Sequence, residues 1–395
     1  MDQRVSSRRT LMGMKSLTYP ETLTGMLEHL RSRLSGVVPD FELRRKAGIA
    51  LEVNRQKREK NAVILGHNYM EPVLYHSVPD FTGDSLYLSR MAAQAEANII
   101  IFCGVRFMAE TAKILNPGRL VLLPSAKGGC SLAASITAED VRRLKARYPG
   151  VPVVTYVNTY AEVKAESDYC VTSSNAEAMV RKLRELGHRR VIFLPDEYLA
   201  GNVAREVGMQ MIVPEGARGP MAGLDGAIAQ DGTTGKGGGN GDRKAAAAKD
   251  VKEVEEAIIG WGGRCEVHEK FTVEDIASVR RQFPDAVVLA HPECSPDVVA
   301  ASDFSGSTTA MIRYVENMTS GRYLLLTECS MGDNIAARNP DREMLRLCSV
   351  RCPHMNEITL EDTLESIRRE RYAIEIPEEI RVRARTALER MLEVG

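Results

Sequence analysis

At 395 residues, 44% of them hydrophobic, the chain is long enough for two or three buried cores. Its 52 Lys and Arg against 53 Asp and Glu give no field that would gather nucleic acid or an anionic membrane. Apolar runs such as "NIIIFC" fall far short of a membrane span, no secretory leader is visible, and eight cysteines without one point to a reducing cytoplasm, where thiols stay free or hold metal.

In chain order, residues 1–43 read as an N-terminal extension and helix. Then follow "AVILGHNY", "NIIIFCG", "RLVLLPS", "VPVVTYVNT", "RRVIFLPD", "AVVLAHPE" and "RYLLLTE", short and nearly continuous apolar runs that end in polar, Gly or Pro residues. Such runs suit parallel strands buried on both faces. Between them lie helical patterns, "DSLYLSRMAAQAEA", "NAEAMVRKLRELG" and "SPDVVAASD" among them, so the chain reads as βαβα with parallel sheets. One interval, about 216–250, is built of Gly, Ala and charged residues, has too few large apolar side chains to offset the cost of ordering, and reads as a flexible insertion.

The strand ends repeat. His67, Tyr156 and His291 each close a strand, and Ser/Thr turns follow 18, 17 and 16 residues on, at Ser85, Ser173 and Ser307. Cys103, Leu194 and Thr327 mark the next strand ends, 36, 38 and 36 residues on. Cys130 lies 63 residues after His67 and Cys352 lies 61 after His291, whereas Cys265 lies 109 after Tyr156. Removing an insertion of about 45 residues brings that third interval to about 64. The expectation is an α/β fold of three similar α/β/α sandwich units with short parallel sheets around a pseudo-threefold axis: 44–132 with Cys130, 133–268 with Cys265 and the insertion, and 269–395 with Cys352 and a C-terminal helix.

Equivalent ends meeting near one axis would bring these three thiols together. They lack the local CxxC pairs of structural zinc, and three thiolates suit an iron–sulfur cubane in which three irons take cysteine and the fourth stays open to substrate. Cys103 and Cys329 follow apolar runs and read as buried small hydrophobes, while Cys170, Cys294 and Cys348 stay undecided.

"FCGVRFMAETAKILNP", "GGCSL", "YVNTYAEVKAESDYCVTSSNA", "LPDEYLAGNVA", "CEVHEKF", "HPEC", "FSGSTTAM" and "CPHMNEITLEDTLESI" resemble, in order, the motif series of the quinolinate synthase family. The resemblance runs from about Asn61 to "RVRARTALERML", leaving out the N-terminus and the insertion. It implies a transferase of NAD biosynthesis that condenses iminoaspartate with dihydroxyacetone phosphate to quinolinate, phosphate and water. It also implies one 4Fe-4S cluster on Cys130, Cys265 and Cys352, with an open iron acting as Lewis acid. An L-aspartate oxidase or dehydrogenase is the partner enzyme this chemistry suggests. Two other classes share a three-cysteine frame: related cluster enzymes, such as the diphosphate reductase of isoprenoid synthesis and the diphthamide radical enzymes, and non-catalytic iron sensors or stores. "HPEC", "GSTTAM" and "FMAETAKILNP" favour the first reading.

The substrates are anionic, yet these motifs hold little Lys or Arg, which leaves hydroxyls and helix-start amides to bind them. Ser85, Ser173, Ser307 and Thr308 fit that task, though each alone is also a ready helix N-cap. His67, Tyr69, Tyr156, Asn158, His268, His291 and Glu293 fit the work of orienting intermediates and moving protons, with Glu293, Tyr69, His67 and His291 the candidate catalytic groups. Two positions depart from the family pattern: Asn68 lies between His67 and Tyr69 where an aromatic is usual, and Arg106 replaces a frequent histidine, which touches the expected substrate contacts.

Overall fold

The computed structural model describes residues 10–11, 14–218, 254–318, 321–345 and 350–394. The insertion from 219 to 250 and Cys348 lie outside the described residues. Apart from a short antiparallel pair at 10–11 and 14–15, every described strand is parallel to its neighbours.

The first sheet holds β1 (Ala62–His67), β2 (Phe81–Gly83), β3 (Ile99–Cys103) and β4 (Leu120–Leu122) in the order β2-β1-β3-β4. The central β1 and β3 are buried along their whole length and pair Val63 with Ile100 and Leu65 with Phe102, which is why they read as unbroken apolar runs. The second sheet contains β5 (Val153–Tyr156), β6 (Tyr169–Val171), β7 (Arg190–Leu194), β8 (Gln210–Ile212) and β9 (Ala257–Gly260), ordered β8-β9-β7-β5-β6. The third repeats the first with β10 (Val287–Ala290), β11 (Phe304–Ser305), β12 (Arg322–Leu326) and β13 (Glu343–Leu345), ordered β11-β10-β12-β13. These are three α/β/α units with one strand order, and only the second departs from it.

The departure has a clear form. In the first and third units a helix, Arg106–Leu115 or Cys329–Arg338, leads from the third strand to the fourth. In the second, Glu197–Val207 leads to β8 at the sheet edge, and β9 occupies the place between β8 and β7. The added chain thus lies in that unit's last crossover, as the repeat spacing requires. At its start Ala217, which the composition assigns to the insertion, is buried beside Trp261, and its carbonyl accepts the Gly262 N–H at 2.8 Å.

Helix starts are set by side chains placed for the purpose. Asp84 caps Ser85–Ala93, Asp196 caps Glu197–Val207, and Thr137 and Thr272 form capping boxes with Asp140 and Asp275. The C-terminal segment ties the units together. Residues 372–374 bridge the edge strand β4 of the first sheet, and the helix Glu378–Leu392 packs on β6 of the second. No helix among the described residues is long and apolar enough to cross a membrane.

Candidate active site at the strand ends

Parallel α/β sheets bind ligands outside the carboxyl ends of their strands, and here the ends of all three sheets face one cleft. Its walls include His67, Ser85, Cys130, Tyr156, Asn158, Ser173, Cys265, His268, His291, Glu293, Thr308 and Cys352, around about 720 Å³ of space that includes the open mouth. Tyr69 lines it as well, so of the residues proposed from the sequence for catalysis, binding or metal ligation only Ser307 stands outside the lining. The size suits small molecules.

The turns after the second strands meet in the same region. Asp84 of the first unit accepts from Ser174 of the second at 3.2 Å and from Ser307 of the third at 3.4 Å, one carboxylate joining three units. Of the hydroxyls, only Ser307 caps its helix, accepting from Ala310 N–H. Asp84 caps the helix that Ser85 begins, and Asn175 Oδ1 takes the Thr172 amide in the turn of Ser173. The capping alternative therefore does not hold for Ser85 or Ser173. Asn68 is buried and donates to Thr308 Oγ1 at 2.9 Å, which directs the Thr308 proton elsewhere. The unusual Asn68 thus fastens a candidate binding residue of the third unit from the first.

Glu293 is the charged centre. Burial alone would raise its carboxyl, but His268 and His291, with a hydrogen bond from Tyr156, outweigh that and hold it at about 2. Asn158 Nδ2 donates to Oε1 at 3.0 Å. His268 Nδ1 stands 2.7 Å from Oε2, within ion-pair range but off the line of a straight hydrogen bond, and His291 Nδ1 stands 3.5 Å from the same oxygen. The His268 and His291 rings stack at 4.7 Å. His291 Nε2 meets Ser173 Oγ at 3.4 Å. Burial drives His67 down to about 4 and His291 to about 3, so both are neutral imidazoles near pH 7. Burial and the Glu293 charge push Tyr69 and Tyr156 well above the usual phenol range.

Each cleft cysteine has the same local setting. The backbone amides two and three residues on face each sulfur: Leu132 and Ala133 for Cys130, Val267 and His268 for Cys265, His354 and Met355 for Cys352. Cys130 accepts outright from Ala133 N–H at 3.5 Å, while Cys352 heads the helix Pro353–Asn356 short of a full cap bond. Amides so placed stabilise a thiolate. Burial nonetheless raises Cys130 to about 12 and Cys352 to about 11 and lifts Cys265 well above its usual range, with the Glu293 charge and then Cys130 adding at Cys265. Thiols so gathered give up their protons when a cation binds them. Three sulfurs with matched amide donors, one from each unit, fit a cubane. Cys265, His268 and Glu293 also bring ligand atoms within 4.8 Å of one another, a set able to take a single ion, but there His268 and Glu293 are already engaged with each other.

Cys103, Cys170, Cys294 and Cys329 are buried away from the cleft wall, which places the undecided Cys170 and Cys294 among the core thiols. Arg106 turns from the cleft, pairs with Glu110 at 2.8 Å and lies over the Tyr160 ring at 5.3 Å. Three polar positions at or beside the cleft escape sequence reasoning: Asp84, Thr327 and Asp196, the last a buried acid raised well above the usual range by burial and by Glu293. Asp84 and Asp196 sit in quoted motifs, yet cap signals explain them first. A threonine after an apolar strand carries no signal.

Fold and site together define a three-unit α/β enzyme with a triple-thiol cleft. A sequence profile described as "Quinolinate synthetase A protein" matches residues 51–393. Quinolinate synthase 2 of Mesorhizobium japonicum is 47% identical over 365 residues, 92% of this chain and 97% of that protein. The quinolinate synthases of Caulobacter vibrioides and Agrobacterium fabrum are each 44% identical, over 90% and 92% of this chain and 84% and 91% of their own lengths. The chain belongs to the quinolinate synthase family.

Proposed function

We propose that the cleft condenses iminoaspartate with dihydroxyacetone phosphate to quinolinate, phosphate and water, with Cys130, Cys265 and Cys352 holding a 4Fe-4S cluster. Quinolinate synthase activity, a step of NAD biosynthesis, follows from membership of the family. The observation that carries the rest is the meeting of three equivalent thiols and one ionised glutamate in a single cleft. When bound, the cluster supplies an iron without a cysteine, a Lewis acid toward substrate oxygen.

The chain's own groups do the binding and the proton work. Ser85, Ser173 and Thr308 offer hydroxyls, and the neighbouring helix starts offer amides, to carboxylate and phosphate. Thr308 has its proton directed away from Asn68, ready for an anion. Glu293, ionised and oriented by Asn158 and Tyr156, is the base for imine–enamine rearrangement and dehydration. His67 and His291 are neutral imidazoles, each able to hold or hand over one proton, and Tyr69 and Tyr156 are protonated phenols beside them. His268 steadies the Glu293 charge. The working units are residues 44–132, 133–268 and 269–395, in the cytoplasm, supplied with iminoaspartate by an L-aspartate oxidase or dehydrogenase.

Anaerobic complementation of a quinolinate auxotroph, with quinolinate assayed in extracts, tests this reading. Growth without added quinolinate, lost in the Cys130→Ser chain, is the expected result. Failure of the intact chain to form quinolinate from the two substrates overturns it.

A further inference from the structure

Lys164 stands on the short helix Ala161–Ala165 behind the cleft wall and is completely buried. Its ammonium is bonded to backbone: Nζ donates to the Val157 carbonyl at 2.8 Å and to the Thr159 carbonyl as well. These are the carbonyls on either side of Asn158. The ring of Phe107, a cleft residue of the first unit, lies on another side, its centroid 5.7 Å from Nζ. Asn158 is the centre of a three-residue turn, in which the Thr159 N–H donates to the Val157 carbonyl at 2.8 Å and the Thr159 hydroxyl donates to the Tyr156 carbonyl at 3.0 Å. From that turn Asn158 Nδ2 crosses to the third unit and donates to Glu293 Oε1 at 3.0 Å. We propose that Lys164 is a positioning residue that grips this turn from behind and holds the Asn158 amide against Glu293. This rests on the reading of Glu293 as the base and of Asn158 as the group that orients it.

The turn has few bonds of its own to keep its place. The buried Thr159 carbonyl accepts from no backbone N–H among the described residues, so the lysine satisfies it. Burial penalises the ammonium and lowers Lys164 from its usual range. An apolar side chain of similar volume would fill the space without that cost. What the apolar chain lacks is the pair of N–H groups on one packed nitrogen, which fixes both flanks of Asn158 and with them the direction of its side chain. The tolerance is small: a drift of the turn by about 0.6 Å stretches the Asn158–Glu293 contact beyond a hydrogen bond. Glu293 Oε1 then loses its amide donor, and the carboxylate is freer to turn away from a reacting proton. Glu110 secures the start of the same helix, its Oε2 accepting the Ala161 N–H at 2.9 Å while Oε1 takes Arg106. In the sequence Lys164 falls within "YVNTYAEVKAESDYC", six residues after Asn158, where a lysine in a helical stretch reads as a solvated charge.

The test compares Lys164→Met, Asn158→Ala and the double variant for kcat, KM and iron content, together with a crystal structure of Lys164→Met. Methionine keeps a flexible unbranched chain and removes the N–H groups. In Lys164→Met kcat should fall about 10–100-fold, while KM and iron content stay within about twofold. Because the lysine acts through the asparagine, the double variant should be no slower than Asn158→Ala alone. In the crystal, Asn158 Nδ2 should stand more than about 3.5 Å from Glu293 Oε1. Should Lys164→Met not fold, Lys164→Gln, whose shorter arm keeps one donor group, enters the same cycle with Asn158→Ala and should show the same coupling. Wild-type kcat in whichever lysine variant folds, losses that multiply in the double variant, or an Asn158 amide that has not moved overturns the proposal. Asn158→Ala separates this failure from that of the site reading. Near-normal turnover there removes Asn158 from the site, whereas an impaired Asn158→Ala beside an unaffected Lys164→Met removes only the lysine.

Discussion

Glu293 spends its life as a charge in a buried place, kept ionised by two imidazoles, a phenol and an amide. A group held near 2 stays ionised throughout the neutral range and so is free to accept a proton. Glu293→Gln preserves the shape and removes the charge. The rate should fall by about 10²–10⁴ with iron content unchanged, measured as quinolinate formed per enzyme under anaerobic conditions. Near-normal turnover would reduce Glu293 to a positioning group. His291 and Glu293 are legible in the sequence because polar residues straight after a buried apolar run must sit at a sheet's carboxyl edge. Thr327 holds the equivalent position, but its contacts with Tyr69 and His268, 258 and 59 residues away, are not legible there.

At the scale of elements, the long central strands are plain in the sequence and the short ones are not. β2, β6, β11 and β13 have two or three residues each, and their place is fixed by pairing with β1, β5, β10 and β12 rather than by any run of their own. The turn "WGG" before Cys265 has a similar explanation. Trp261 Nε1 donates to the Ser135 carbonyl at 3.1 Å, and a side chain on Gly263 would stand 2.6 Å from both the Pro195 carbonyl and Ser135 Oγ. Gly263→Ala should lower stability by about 1–3 kcal/mol, seen as a lower Tm, and should lower iron content because Cys265 is two residues on. An unchanged Tm would show that the close approach relaxes freely. The short helix Pro72–Tyr75 ends at His76, which burial, with Arg338, Arg33 and His29 beside it, drives down to about 3. The unfolded chain takes up a proton near 6.5 that the folded chain refuses, so this residue removes stability as pH falls from about 6.5 toward 3, by up to about 1.4 kcal/mol per pH unit. His76→Gln should flatten the decline of Tm over that window. An identical slope in both proteins would contradict the assignment.

The described residues form three α/β units, the first and third with one strand order and the second with a strand added to it, arranged so that their turns and thiols share one cleft. The repeat was legible through spacing because strand, turn and crossover lengths are nearly the same in each unit; the second unit yields its match only after the added crossover is removed. What spacing does not carry is how the units are fastened: Asp84 to Ser174 and Ser307, Asn68 to Thr308, and residues 372–374 on β4. Those bonds link positions up to 253 residues apart, and no local pattern encodes them. The central claim is that one thiol from each unit holds a single cluster, and iron and sulfide counts with absorption spectra on anaerobically purified single-cysteine variants test it most directly. About four irons and four sulfides per chain are expected in the unaltered protein and in Cys103→Ser, and loss of the cluster in Cys130→Ser, Cys265→Ser and Cys352→Ser. A Cys265→Ser protein that keeps its full cluster would contradict the account.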